Sequence, residues 1–246
     1  MTSLEHAAAT LRRSTSVVVF TGAGVSAESG LPTFRSGANA MWKDDDVARY
    51  ANPRGYRAHA ADAWRWYCMR VQKAAEVEPN AGHLAIAEIE RRVKDFVLVT
   101  QNVDGLHQRA GSRNVVELHG SLRQVRCFDC GVAFRWPPLP AEPRCKRCGG
   151  LLRPNVVFFE EQLPVDAIER AREVAERCDV FIAAGTSNLV WPAREIPDYA
   201  RSCGADVFIV NVDMEGQTPA SEHVLHLVGQ AGDVLPRLVA ATWSVA

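Results

Sequence analysis

The chain is predicted to fold as α/β, a doubly wound parallel sheet carrying two inserts, and three observations predict it. Short β-branched runs alternate with helical stretches, most of the runs are continuously apolar, and only two segments interrupt the alternation. Strands covered on both faces read as unbroken apolar runs because neither face meets water. Strand and helix alternating along one chain then favour a parallel sheet with helices on both sides.

In order, a helix over Leu4–Arg13 leads to a strand at Val17–Phe20. Helices over Ala58–Ala75 and Gly82–Lys94 precede strands at Phe96–Thr100 and Val115–Leu118. The helix Val165–Arg177 feeds Val180–Gly185, Pro192–Ser202 feeds Val207–Asn211, and a strand at Val224–Val228 precedes the helix Gly232–Ala241. The interruptions are residues 36 to 90, with no strand-like run, and 126 to 153, which hold two Cys-x-x-Cys pairs and a proline cluster. Both are expected to pack together as a small lobe. The expected large domain is 1–36, 91–125 and 154–246, and the small one is the helical insert 37–90 with the cysteine module 126–153.

Composition sets the outer limits. The 246 residues are 47% hydrophobic and 23% charged, enough apolar material for a sizeable core. No run approaches the roughly 20 apolar residues of a membrane helix, and no basic stretch precedes an apolar one at the N-terminus. With 28 basic and 29 acidic residues the net charge is −1, so no bulk field draws nucleic acid or anionic lipid. Seven cysteines, four of them in close pairs, suit metal binding in a reducing cytoplasm better than disulfides. Cys68, Cys178 and Cys203 read as small buried hydrophobes.

Three constellations carry chemistry. Directly after the first strand, Gly22-Ala23-Gly24-Val25-Ser26-Ala27 reads G-x-G-x-x-A, in the strand–turn–helix context that holds a dinucleotide pyrophosphate. The acidic residue that ends a second strand in hydride-transfer enzymes is missing: Asp44-Asp45-Asp46 has no strand before it. Cys127-x-x-Cys130 and Cys145-x-x-Cys148 make two knuckles, with Gly131 and Gly149 to turn the backbone. Four thiolates close a tetrahedral zinc site, so that metal is structural. Gln101-Asn102-Val103-Asp104 and His119 follow two strand ends, where ligands of open α/β sheets bind. His119 suits a general base near neutral pH. Gly185-Thr186-Ser187 and Asn211 follow two further strand ends and suit phosphate or ribose contacts.

Together these segments resemble the sirtuins, NAD-dependent protein-lysine deacylases. The resemblance rests on Gly22 through Arg35, Thr100 through His107, Leu118-His119-Gly120, the four cysteines, Arg153 through Val157, Gly185-Thr186-Ser187 and Asn211. It implies a Rossmann-like sheet with a zinc-ribbon and helical lobe, NAD consumed as co-substrate, and one structural zinc. It assigns Gly22, Ala23, Gly24, Ala27, Glu28, Phe34, Arg35, Gln101, Asn102, Asp104, Gly185, Thr186, Ser187, Asn211 and Ala231 to NAD. Asn102, Asp104 and His119 would be catalytic. In the reaction it implies, the acyl oxygen of a modified lysine attacks C1′ of the nicotinamide ribose and nicotinamide leaves. His119 then deprotonates a ribose hydroxyl, and water releases lysine and O-acyl-ADP-ribose.

Val156 and Val157 would pair with the substrate peptide as an added strand. Tyr67-Cys68-Met69-Arg70 resembles the Tyr-x-x-Arg of the branch that removes succinyl and malonyl groups, with Tyr67 and Arg70 holding the distal carboxylate. Where relatives read Phe-Gly-Glu, this chain has Phe159-Glu160-Glu161, which alters the substrate groove and favours basic peptides. Acyl-lysine proteins are the expected partners of a monomeric, cytoplasmic enzyme, with no membrane or nucleic acid.

Two alternatives stay open at this level. One is an ADP-ribosyltransferase or NAD hydrolase using the same residues. The other is a zinc-ribbon nucleic-acid binder, whose basic face would be Arg126, Arg135, Arg144, Lys146, Arg147 and Arg153.

Overall fold

The computed structural model describes residues 2–32, 44–136, 143–187 and 190–244. Its strands are β1 (Ser16–Thr21), β2 (Asp95–Thr100), β3 (Val115–Glu117), β4 (Gly120–Cys127), β5 (Ala133–Arg135), β6 (Leu152–Val156), β7 (Val180–Ala184), β8 (Asp206–Asn211) and β9 (Val224–Val228). Six of them form one sheet in the order β3-β2-β1-β7-β8-β9, every pairing parallel. All six are expected strands. The fourth ends one residue early, because Gly185 turns out of it at φ +59.

The helices are α1 (Ser3–Arg13), α2 (Gly24–Ala27), α3 (Asp44–Tyr50), α4 (Pro53–Ala58), α5 (Ala60–Glu76), α6 (Ala81–Arg92), α7 (Leu106–Arg109), α8 (Val165–Arg177), α9 (Ile196–Ser202) and α10 (Ala231–Trp243). Successive strand residues point to opposite faces, so each apolar run feeds two cores. Val17, Val19, Leu98, Ile182 and Phe208 meet α1, α6 and α10 on one side. Val18, Phe20, Val99, Phe181 and Ile209 meet α8 and α9 on the other. The Phe20 and Phe181 rings, 6.0 Å apart, each bury a side chain whose transfer from water is worth about 1.5–3 kcal/mol.

The helical insert does not behave as one block. α6 falls within the expected insert, yet its Ala85, Ile86 and Ile89 lie in the core beneath the main sheet. α5 instead packs on the second sheet, which has the order β5-β4-β6 and antiparallel pairings. One stripe of α5 (Trp64, Cys68) packs with Val125, Cys127, Cys145 and Leu152, and an adjoining stripe (Ala63, Tyr67) with Leu122, Val156 and Phe158. The cysteine module and α5 therefore share a core.

Two smaller expectations need correction. The helix expected over Pro192–Ser202 starts as a 3-10 turn at Ala193–Glu195 before α9. Cys68 and Cys178 are buried as expected, but Cys203 caps the end of α9 and is exposed. A small residue at a helix end carries no periodic signal that fixes its side.

Candidate active site

The strand order reverses direction between β1 and β7, and ligands of open α/β sheets bind at that switch point. The loops leaving these two strands touch. A Cβ on Gly22 would stand 2.7 Å from the Gly185 carbonyl oxygen, and one on Gly24 would stand 2.8 Å from Gly185 Cα. Gly24 N–H donates to the Gly185 carbonyl at 2.9 Å. The glycines are thus required by loop-to-loop packing as well as by any ligand. The expected anion-binding helix is only one turn, α2, and its Val25 and Ser26 N–H groups already donate to Gly22 and Ala23 carbonyls.

Behind that contact lies a buried polar network. Asn102 Nδ2 donates to the Gly22 carbonyl at 3.0 Å and to Ser26 Oγ at 3.2 Å. Ser26 Oγ donates to Asp104 Oδ2 at 2.8 Å, while the Leu106 N–H donates to Asp104 Oδ1 at 2.9 Å. Burial raises the Asp104 pKa above the ordinary carboxylate value, against the pull of these two donors. Its carboxylate is therefore a stronger acceptor than a solvated one.

His83 Nε2 lies 3.4 Å from Ser26 Oγ, and the Asn80 N–H points at its Nδ1 from 3.3 Å. An accepting Nδ1 puts the proton on Nε2, so neutral His83 donates to Ser26, which passes the polarity on to Asp104. Burial lowers the His83 pKa to about 4. His107, 4.8 Å from the His83 ring, is lowered to about 3 by burial and sits 2.9 Å from Thr21 Oγ1. Thr21 reaches Thr100 Oγ1 at 2.8 Å, which accepts the Asn102 N–H at 3.0 Å. Sequence reasoning missed Thr21, Ser26, His83 and His107 as members of this site. Asn80 and His83 form a capping box at the start of α6, which carries no sequence sign of the partner in the glycine loop.

His119 stands at the mouth of this network, after β3. Its Nδ1–H donates to the Gln101 carbonyl at 3.0 Å, which leaves Nε2 as the lone-pair nitrogen. Burial holds its pKa below the ordinary histidine value, with the Gln101 bond a smaller opposing effect. A neutral, tautomer-locked imidazole beside polar strand ends can take a proton from a hydroxyl.

The remaining rim residues gather on Thr186. Gln101 Nε2 donates to Thr186 Oγ1 at 3.2 Å, and Asn211 Nδ2 to the Thr186 carbonyl at 2.9 Å. Ala27 and Ser187 are exposed at the same edge. Glu28 accepts the Gly232 N–H at 2.7 Å, so its carboxylate caps the first turn of α10. Ala231 is buried in the core beside Gly82. Phe34 and Arg35 lie outside the described residues.

The four cysteines fit zinc. Their sulfurs all lie within 4.8 Å of one another, with Cys127 to Cys148 at 3.5 Å and Cys130 to Cys145 at 3.7 Å. A tetrahedral site with Zn–S near 2.3 Å needs sulfurs about 3.8 Å apart. Gly131 and Gly149 turn their knuckles at φ +70 and +76. The supposed basic face around them is partly spent. Arg153 is 1% exposed and pairs with Glu161, and Arg126 pairs with the same carboxylate at 3.1 Å. The buried Arg153 guanidinium is therefore out of reach of a nucleic-acid backbone.

Tyr67 packs against Leu122 of β4, the strand that follows His119, and Arg70 stands three residues on along α5. The Val157 N–H donates to the His119 carbonyl at 2.9 Å, and Tyr67 stacks on Phe158 with centroids 6.0 Å apart. Arg70 lies over the Trp66 ring at 4.4 Å, and burial raises the Tyr67 pKa, so its hydroxyl stays protonated. Val103, from the loop that carries Asn102 and Asp104, packs against the same cluster.

Fold and site define an α/β nucleotide-site protein with a four-thiolate metal module. Residues 22–192 match the model of the Sir2 family. The chain is 45% identical over 233 residues to the NAD-dependent protein deacylase 1 of Archaeoglobus fulgidus, covering 94% of each chain. It is 47% identical to the NAD-dependent protein deacylase 2 of Pyrobaculum aerophilum, covering 90% of this chain and 89% of that one. Among solved structures, a Sir2 homologue in complex with NAD superposes with a TM-score of 0.87 at 43% identity, covering 97% and 93% of the two chains. A Sir2 protein bound to a myristoylated histone peptide gives a TM-score of 0.76 at 36% identity, covering 98% and 96%. The chain belongs to the Sir2 family, the NAD-dependent protein deacylases.

Proposed function

We propose that this enzyme removes acidic acyl groups, succinyl and malonyl, from lysine side chains, and acetyl groups less efficiently, with NAD as co-substrate. The observation that carries the acyl preference is Tyr67, packed on Phe158 next to the Val157–His119 backbone contact, with Arg70 three residues on along the same helix. A guanidinium forks both oxygens of a carboxylate, and a protonated phenol adds a third donor. An acetyl group offers these donors no carboxylate to grip, which is why removal of acetyl is the weaker activity.

When bound, NAD would supply the ribose carbon that takes the acyl oxygen as nicotinamide leaves, and water would then release lysine and O-acyl-ADP-ribose. The chain's residues divide the remaining work. Gly22, Ala23 and Gly24 with Gly185, Thr186, Ser187 and Asn211 hold the dinucleotide, joined by Gln101 and by Phe34 and Arg35. Asn102 and Asp104 orient the nicotinamide side, and His119 takes the ribose hydroxyl proton on Nε2. Val156 and Val157 hold the peptide backbone as an added strand, and similar Sir2 proteins are known with a myristoylated histone peptide and with a deacetylated p53 peptide. Four thiolate ligands fit a reducing compartment such as the cytoplasm.

The test is mass spectrometry of matched acetyl- and succinyl-lysine peptides, with and without NAD. NAD-dependent loss of succinyl at the higher kcat/KM is the expected result. Loss of acetyl alone would discard the carboxylate clamp and keep the enzyme class.

A further inference from the structure

We infer that Glu160 is a specificity residue that selects substrates with a lysine or arginine close in sequence to the acylated lysine. The inference rests on the reading of Val156 and Val157 as the peptide-docking strand. Among the described residues, Glu160 is the one non-glycine residue with positive φ, at +71. It is the third residue of the turn Phe158–Glu161, closed by a 3.1 Å bond from Glu161 N–H to the Phe158 carbonyl. Type II turns take glycine at that position because a Cβ is strained there.

The turn is held from both sides. Glu161 is gripped by Arg153 at 2.5 and 2.9 Å and by Arg126 at 3.1 Å, and it accepts the Phe158 N–H at 2.8 Å. Phe159 N–H donates to the Ala51 carbonyl at 2.8 Å. A side chain kept in a strained backbone by surrounding contacts marks a place where its position matters. Of the two adjacent carboxylates, Glu161 is neutralised by arginines. Glu160 is exposed, without hydrogen bond or ion pair among the described residues.

What lies around it fits a peptide side chain. β6 is an edge strand, paired only with β4, so an extended peptide can add to its outer side. Residues of such a peptide two positions apart share a face, which brings one neighbour of the acyl-lysine to the turn. Glu160 also lines a cavity of about 360 Å³ together with Asn52 and Arg54. Among the described residues of that lining it is the only carboxylate and Arg54 the only cation, so Arg54 weakens the negative field that Glu160 supplies.

The experiment measures kcat/KM for succinyl peptides that differ only by arginine or aspartate near the succinyl-lysine, at low and high salt. The intact enzyme is expected to favour the arginine peptides by about two- to fivefold through KM, the size of an exposed ion pair, with the preference lost at high salt. Glu160→Gln keeps the backbone strain, removes the charge and should abolish the preference. Arg54→Ala should enlarge it. The same arginine-to-aspartate ratio in the enzyme and in Glu160→Gln overturns the inference alone. No turnover on any acyl peptide overturns the deacylase reading and the inference with it.

Discussion

Gly22 and Gly185 meet at the switch point of the main sheet, where a Cβ on Gly22 would lie 2.7 Å from the Gly185 carbonyl oxygen. The reverse contact is tighter: a Cβ on Gly185 would lie 2.4 Å from Val25 N, at a backbone φ of +59. Gly185→Ala therefore meets both a backbone clash and an unfavourable conformation. Left-handed backbone costs an L residue about 1–2 kcal/mol, and overpacking adds about 1–3 kcal/mol. Denaturant unfolding should show a loss of about 2–5 kcal/mol, and isothermal titration should show weakened NAD binding. An unchanged unfolding midpoint would mean that the two loops separate freely.

What the sequence made legible was whatever is local. The cysteine knuckles repeat over four residues each, and the six main strands are continuous apolar runs, so both appear before any fold is known. The place of α6 was not legible, because its helical pattern says that one face is buried and not which layer buries it. The Ser26–His83 contact joins residues 57 apart, and each looks locally complete, one inside a glycine loop and the other in a capping box. That Glu28 also meets the start of α10, 204 residues away, was equally out of reach of a local pattern.

His119 makes its tautomer through the Gln101 carbonyl, and burial keeps it neutral. With His119 as the proposed base its neutral form is the active one, so kcat/KM should rise with pH along an acid limb whose midpoint lies below the ordinary histidine value. His119→Ala should fold with the same circular dichroism and lose about 10²- to 10⁴-fold in kcat, the usual worth of a general base. Retained turnover, or an unchanged acid limb in the variant, would assign the base elsewhere.

Arg70 and Tyr67 predict an asymmetry between substrates. Arg70→Met keeps the length of the side chain and removes the fork. A charge-assisted hydrogen-bond pair is worth about 1.5–3 kcal/mol, so desuccinylation should fall about 10- to 100-fold in kcat/KM. Deacetylation should change by less than about threefold on the same reasoning. Equal losses on both peptides would place Arg70 in folding rather than in acyl recognition.

The cysteine module shares its core with α5 through Trp64 and Cys68. Metal loss should then reach the acyl pocket as well as the knuckles. Cys145→Ser should release zinc, measured by atomic absorption, and lower the melting temperature, because metal binding is coupled to folding. Limited proteolysis should cut first within 126–153. A zinc-free variant with the original melting temperature would detach the module from the stability of the fold.

His83 links the buried network to acid stability, and the sign follows from its depressed pKa. In the unfolded chain a histidine binds a proton near pH 6.5, whereas folded His83 resists protonation until about pH 4. Between those values the unfolded state holds more protons, so the contribution is complete above pH 6.5 and lost as pH falls toward 4. A shift of that size corresponds to about 3 kcal/mol for one group, and His107, lowered to about 3, steepens the same slope. The His83→Asn variant keeps an acceptor near the Asn80 N–H and removes the titration. Its melting temperature should fall less between pH 7 and pH 4.5 than that of the intact protein. Parallel curves for the two proteins would mean that His83 accepts protons in the folded state as readily as in the unfolded one.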